Sequence, residues 1–272
     1  MIIDLHCHTN MSDGALTPNQ LLDLASERGV AMLSITDHDT LDAYAHTSSV
    51  PPGMRLIPGI ELSSRWRKQG VHIVGLNIDL SNPVMASAVA EQSAIRLQRA
   101  QEISVRLERL GFDGCLEGAQ RFAHNQIGRP HFAQHLIAVG AVKNSNEAFK
   151  KYLGAGKAGD IKEHWPDIET VVQWIKQAGG IAVLAHPSKY KMTRTKLTEL
   201  IGDFKNAGGE AMEVVSGLQI PSLTRDLAKL CTQFGLLASC GSDFHSPDKK
   251  WAALGLISNL PETCKPIWDR WS

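Results

Sequence analysis

The feature that most constrains this chain is a repeated one: a short run of Ile, Val and Leu that stops at a histidine or a carboxylate. "MIIDLH", "VAMLSIT", "RLIPGIELS", "VHIVGLNI", "GIAVLAH", "EAMEVV", "GLLASCGSD" and "ALGLI" all read as strands. Most are bounded by Gly, Pro or polar residues, and each is shorter than a typical helix. Between several of them lie amphipathic segments. In "TPNQLLDLASERG", Thr17 can cap, Pro18 suits the first turn and Gly29 ends the helix. Strand–helix alternation of this kind predicts an α/β fold with a mostly parallel sheet, open or closed into a barrel.

One region departs from the pattern. From about residue 82 to 165 no strand is apparent, and "NPVMASAVAEQSAIRLQRAQEISVRLERLG" reads as a long helix followed by shorter helical pieces. The expected organisation is a barrel built from residues 1–81 and 166–272, with residues 82–165 as an inserted helical subdomain covering the active site. The nearest approach to a flexible linker is "GAGKAGD".

At 272 residues, 43% hydrophobic, the chain can bury a large core. Twenty-eight Lys and Arg balance 28 Asp and Glu, so no broad grip on long double-stranded nucleic acid is expected, only a local basic patch at most. No stretch reaches the roughly 18 apolar residues of a membrane span, and no secretory signal pattern is seen. Five scattered cysteines without a CxxC pair read as reduced thiols in a cytoplasmic protein.

The ionisable residues at the strand ends carry the chemistry. His6 and His8 project to one face of the first strand, so one metal can take both, and Cys7 points away. Asp13 follows in a turn. "SITDHDT" brings His38, "PGIELS" Glu61, "GVHIVG" His72, "VLAHPS" His186, and "SCGSDFHS" Asp243 and His245. Any one of these is ordinary. Nine together at buried strand ends would repel or desolvate one another unless cations neutralise them. Nine N and O donors exceed one tetrahedral site and suit two or three divalent ions sharing carboxylates. Imidazole and carboxylate without thiolate point to Mn, Zn, Fe or Mg.

"DLHCHTNMSDG", "TDHDT", "GIELSS", "VHIVG", "AHPSKY" and "GSDFHSP" together resemble the ordered motifs of the PHP (polymerase and histidinol phosphatase) family, from Ile2 to about Pro247. The resemblance implies a distorted (β/α)7 barrel with a trinuclear metal centre, most often Mn²⁺, at the C-terminal ends of the strands. By motif, His6, His8, Glu61 and Asp243 would hold one ion. Glu61 would bridge to a second on His72 and His186, and Asp13, His38 and His245 would hold a third. Glu61, Asp243 and His245 would act catalytically through the metal-activated water.

"QIGRPHFAQHL", "FKKYLGAGK" and "LAHPSKY" look like the stand-alone nucleotide phosphoesterases of that family. The resemblance implies removal of the 3′-phosphate from nucleoside 3′,5′-bisphosphates, with trimming of short 5′-phosphorylated RNA from its 5′ end as the same cut on a longer substrate. Arg129 offers phosphate a bidentate fork, His131 a further donor and Lys189 a point charge where relatives more often carry Arg. The run Lys191, Arg194 and Lys196 reads equally well as a contact to the next nucleotide or as a solvated helix start. The rival readings are another PHP phosphatase, such as histidinol phosphatase, and a non-catalytic metal-binding regulatory module. The first would favour a cationic substrate and the second would lack ligands.

Overall fold

The computed structural model describes residues 1–271. Eight strands are present: β1 (Ile2–Cys7), β2 (Val30–Ile35), β3 (Arg55–Leu56), β4 (Gly59–Trp66), β5 (Gln69–Leu76), β6 (Ile181–Leu184), β7 (Ala211–Ser216) and β8 (Leu237–Gly241). They form a three-stranded sheet, β1-β2-β3, and a five-stranded sheet in the order β4 to β8. Two seams join the sheets, one at and just past the ends of β1 and β8 and the other between the segment after β2 and the start of β4. At one, His8 N–H donates to Phe244 O at 2.9 Å and Asp243 N–H to His6 O at 2.8 Å. At the other, Glu61 N–H donates to Asp37 O at 3.2 Å and Asp39 N–H to Glu61 O at 2.9 Å. Seven strands, β1, β2 and β4–β8, therefore close into an irregular barrel with β3 as a two-residue appendage. The fold is the α/β barrel that the motifs implied.

Two expectations about strands need correction. "RLIPGIELS" is two strands, because Pro58 has no N–H to continue a ladder; β3 pairs with β2, and β4 starts the other sheet. The pairing is mostly parallel, as expected, with two exceptions among the six strand pairs of the described residues. β4 and β5 are antiparallel, joined by a tight turn at Arg67 and Lys68 too short for a parallel crossover, and β5 is antiparallel to β6. "ALGLI" is not a strand: Gly255 turns the chain with φ +71° and gives its N–H to Asp4 Oδ2 at 2.9 Å, and Leu254 is buried.

Helices α1 (Pro18–Glu27), α2 (Asp42–Ala45), α7 (Ile168–Gln177), α8 (Arg194–Asn206) and α9 (Pro221–Gln233) accompany the strands. Thr17 and Gln20 form the reciprocal cap that starts α1. Between β5 and β6 come α3 (Pro83–Glu108), α4 (Cys115–Gln120), α5 (Arg129–Ala138), α6 (Ser145–Ala148) and a π-helical turn, Phe149–Leu153. These helices enclose a separate apolar cluster that includes Ile103, Leu107, Phe132, Leu136 and Leu153. The N-terminal half of α3 packs instead on the barrel core through Met85 and Ala88. All five cysteines are free and buried. No helix among the described residues is long and apolar enough to cross a membrane.

Candidate metal centre

The strand ends bring all nine expected residues into one cluster. His6 and His8 leave the same face of β1, and both are fully buried. Cys7 faces the other way and donates its S–H to Ser34 O. Glu61, on β4, is fully buried at the centre. Its Oε1 lies 2.9 Å from His72 Nδ1 and 2.8 Å from His186 Nε2. Its Oε2 lies 3.3 Å from both His6 Nε2 and His8 Nε2 and 2.9 Å from His38 Nδ1, yet makes no hydrogen bond. His8 Nε2 stands 3.2 Å from both His6 Nε2 and Asp243 Oδ1, and His6 Nε2 stands 3.5 Å from that oxygen. On the outer side, Asp13 lies 3.3 Å from His245 Nε2 and 3.9 Å from His38 Nε2.

These separations test the fit of a metal. Two ligand atoms each about 2.1 Å from one ion stand roughly 3.0–3.4 Å apart, depending on octahedral or tetrahedral angles. The spacings around His6, His8, Asp243 and Glu61 Oε2 fall at that value, and an orphaned, buried carboxylate oxygen is costly unless a cation meets it. His8, Asp13, His38 and His245 offer a second convergent set, and His38, Glu61 and His72 a third. The donors fit divalent ions.

A layer behind the cluster holds it in place. His6 Nδ1–H donates to Glu213 Oε1 at 2.5 Å, which fixes the tautomer and leaves Nε2 free to face the cluster. Glu213 Oε2 also accepts the His186 N–H at 2.6 Å, so one buried carboxylate orients two candidate ligands. Tyr190 OH clamps the His72 backbone, accepting from its N–H at 2.9 Å and donating to its C=O at 3.3 Å. Asp37 Oδ1 accepts from Thr9 N–H at 2.7 Å and Ser12 O–H at 2.6 Å, which ties down the loop that presents Asp13. Asp243 and His186 sit at φ +53° and +26°, strained values for residues with side chains, at the strand ends where ligands must turn inward. Gly241 permits the close approach of β8 to β1, since a Cβ there would stand 2.3 Å from the His6 Cβ.

Burial opposes ionisation of Glu61, yet His38, His72 and His6 hold its carboxyl well below the usual range. Asp243 is lowered likewise by Lys189, His6 and His245, and Asp13 by His245 and His38. Burial and the neighbouring His245 push His8 down to about 3, so it is neutral, the form that binds a metal. Burial also acts against His245, but Asp13 and Asp243 outweigh it and raise the ring to about 9.

Beside the cluster lies a cleft of roughly 470 Å³ whose wall includes His72, His186, Arg99, Arg129 and Lys189. A narrower recess of about 130 Å³ adjoins it and adds Asp13, His38 and Arg96. Lys189 pairs with Asp243. Arg129 Nη1 donates to Leu153 O at 3.2 Å and lies 3.7 Å from Asp160, which also pairs with Lys162 at 2.9 Å. Arg99, 6% exposed, donates Nε–H to Ile161 O at 2.7 Å, lies against the Trp165 ring and makes no ion pair among the described residues. Burial, with Arg129 and Arg96 nearby, pushes it down to about 9.

The sequence-predicted residues divide at this point. Arg129 and Lys189 line the cleft. His131 is buried, its Nδ1 accepts from Gly128 N–H at 2.9 Å to cap α5, and it is not part of the cleft wall. Glu213, Arg96 and Arg99 are additions that the motifs do not single out. Each has a signal: Glu213 is a lone carboxylate inside the apolar strand "AMEVV", and Gln92, Arg96 and Arg99 interrupt the stripe of α3 that also buries Met85, Ala88, Ile103 and Leu107.

The PHP domain family matches residues 4–182. The chain is 42% identical over 270 residues to a 3′,5′-nucleoside bisphosphate phosphatase of Chromobacterium violaceum, covering 98% of this chain and 95% of that one. It is 43% identical over 276 residues to the 5′-3′ exoribonuclease Rnm of Escherichia coli, covering 100% and 94%. A solved structure from C. violaceum, described as an amidohydrolase with bound sulfate and no metal, superposes with a TM-score of 0.92 at 42% identity over 99% of this chain and 95% of that one. A putative metal-dependent phosphoesterase of Bifidobacterium adolescentis superposes at 0.79 with 26% identity, covering 97% and 92%. Motifs, barrel, ligand cluster and these likenesses agree: the chain belongs to the PHP domain family.

Proposed function

We propose that this protein is a divalent-metal-dependent phosphoesterase that hydrolyses the 3′-phosphate of nucleoside 3′,5′-bisphosphates, and makes the same cut at the first internucleotide bond of short 5′-phosphorylated RNA. In both substrates water adds to the phosphorus on the 3′ oxygen, the P–O3′ bond breaks, and a 5′-nucleotide is released. The observation that carries the reading is Arg99, a buried guanidinium with no carboxylate within ion-pair distance among the described residues, lining the cleft beside the nine-residue cluster. An unpaired buried cation is costly, and a substrate phosphate would complete it. A cleft of roughly 470 Å³ has room for one nucleotide.

His6, His8, Glu61 and Asp243 would hold one ion, Glu61, His72 and His186 a second, and Asp13, His38 and His245 a third. Mn²⁺ is the expected occupant, with Zn²⁺, Fe²⁺ or Mg²⁺ as alternatives. Bound metals supply an acidified water and stabilise charge on the phosphoryl oxygens. Glu213 orients His6 and His186, and Tyr190 positions His72. Arg99 and Arg129 hold the 5′-phosphate, which sets the nucleotide so that its 3′ side meets the cluster. Lys189, beside Asp243, attracts the scissile phosphate. His131 serves by fixing the start of α5, which carries Arg129. Residues 82–165 act as the inserted helical unit that brings the arginines over the barrel. A cluster of guanidiniums repels a cationic amine, which disfavours a histidinol phosphate substrate. Five free thiols suit a reducing, cytoplasmic setting.

The test is phosphate release from adenosine 3′,5′-bisphosphate with Mn²⁺, run beside 5′-phosphorylated and 5′-hydroxyl trinucleotides, with Asp243→Asn as the blank. Expected is release from the bisphosphate and trimming of the 5′-phosphorylated RNA alone. Arg99→Met should raise KM about 10- to 100-fold, the worth of one charge-assisted contact. Hydrolysis that ignores the 5′-phosphate would overturn the assignment of the arginines, and inactivity of the metal-loaded protein would overturn the substrate.

A further inference from the structure

Gln69, Tyr190 and Lys191 line both the cleft beside the cluster and a second groove of roughly 520 Å³, whose wall also includes Trp66, Arg67, Lys68 and Lys196. The groove lies between the β4–β5 turn and the start of α8. Its lining contains no carboxylate. The nearest ones, Glu199 and Asp203, are already engaged, Glu199 by Arg67 at 2.5 Å and Asp203 by the Trp66 indole N–H at 2.7 Å. Lys68, Lys191 and Lys196 are exposed and make no ion pair among the described residues. Arg67 is neutralised by its acids, but its guanidinium lies 4.3 Å over the Trp66 ring and presents a flat outer face.

We propose that this groove is the track for the single-stranded RNA downstream of the scissile bond. The inference rests on the phosphoesterase reading of the adjacent cleft and adds where the nucleotides beyond the first are held. The polarity follows from the two sets of cations. Arg99 and Arg129 line the part of the cleft shared with the narrow recess, whereas Tyr190 and Lys191 line the part shared with the groove, and the scissile phosphate must meet the candidate ligand cluster beside the cleft. The next nucleotides therefore leave past Tyr190 and Lys191, where lysines spaced along a groove meet successive phosphates. The exposed Arg67 guanidinium, backed by the buried Trp66 ring, offers a platform for a base of any identity. A nucleoside bisphosphate ends at its 3′-phosphate and never reaches the groove.

The experiment compares kcat/KM on adenosine 3′,5′-bisphosphate with that on 5′-phosphorylated RNAs of two to six nucleotides, for the wild type and Lys68→Ala/Lys196→Ala. Both lysines are exposed, so folding is not at stake, and a matched melting curve checks it. In the wild type, kcat/KM should rise with length up to about four nucleotides and fall with added salt. In the variant the rise should flatten, with a loss of about tenfold on the hexamer, a salt slope shallower by about 1.4 for two lost phosphate contacts, and no change on the bisphosphate. Equal length dependence in the two proteins, or an equal loss on bisphosphate and RNA, would overturn the track while leaving the cleft assignment standing. A wild type that hydrolyses the bisphosphate but shows no gain with length refutes the track alone, whereas one that hydrolyses neither substrate refutes both readings.

Discussion

Glu213 shows how much of a metal site lies in residues that do not face it. It touches no substrate, yet it holds the protonated nitrogen of His6 at 2.5 Å and the backbone of His186 at 2.6 Å. Glu213→Gln keeps the shape and removes the charge, so His6 loses both basicity and a fixed tautomer. The expected result is a 10- to 100-fold rise in the metal concentration needed for half-maximal activity, with much of kcat recovered at saturating Mn²⁺. A fall in kcat that no metal restores would show that Glu213 does more than position ligands. The nine ligand candidates are legible in the sequence because most stand at or just past the end of an apolar strand, and Glu61 and His72, inside β4 and β5, fall within the motifs "GIELSS" and "VHIVG". Glu213 is not, because it sits inside a strand that carries no motif, where a single carboxylate has the same pattern as a solvent-facing residue.

Among the elements, α3 decides whether the cleft exists. It is fastened to the barrel by polar bonds: Gln92 Nε2–H donates to Ser63 O at 2.7 Å, and Arg96 bonds Asp39 Oδ2 at 2.6 Å and Ser63 Oγ at 3.2 Å. Asp39 is fully buried at φ +56° and also accepts from Ser63 N–H at 2.6 Å. Arg96→Met should therefore destabilise the protein by about 3–5 kcal/mol, because it strands a buried carboxylate. Arg96→Met/Asp39→Asn should recover part of that loss in urea unfolding. If the double variant is no more stable than the single one, the ion pair is not what fastens the helix. The length of α3 and its start at Asn82 and Pro83 are readable from pattern and capping. Its inward-facing arginines are not, since helical periodicity alone does not distinguish a charged residue that faces water from one that faces a cleft.

For the molecule as a whole, the cluster couples stability to pH and metal. His245, raised to about 9 against an ordinary 6.5, contributes stability below about 6.5 that is lost as pH rises through 9. The groups that face it are Asp13, Asp243, His8 and His38. Glu61, Asp13 and Asp243 are held low, so their contribution is present above about 4 and is lost as pH falls further. His8, depressed to about 3, acts in the opposite sense and costs stability as pH falls below about 6.5, so chelator-treated protein should melt at its highest temperature near pH 6.5 and lose stability toward pH 9. Mn²⁺-saturated protein should not show the alkaline loss, because a metal takes neutral imidazole and replaces the proton that the carboxylates otherwise require. A chelated protein equally stable at pH 6 and pH 9 would remove His245 from this account.

By itself, the sequence determined the barrel class and singled out nine candidate donors for divalent metal. Strand period and donor identity are local properties, and nine such donors crowded at buried strand ends are compatible with one another only when cations sit among them. Only the tertiary structure decided that Glu213 stands behind His6 and His186 and which arginines and lysines flank the cluster. Those depend on which separate segments meet: β7 lies behind β1, α3 lies over β4, and the β4–β5 turn faces α8. Proximity between residues 29 positions apart, as Gln92 and Ser63, or 207 apart, as His6 and Glu213, leaves no periodic trace in either segment.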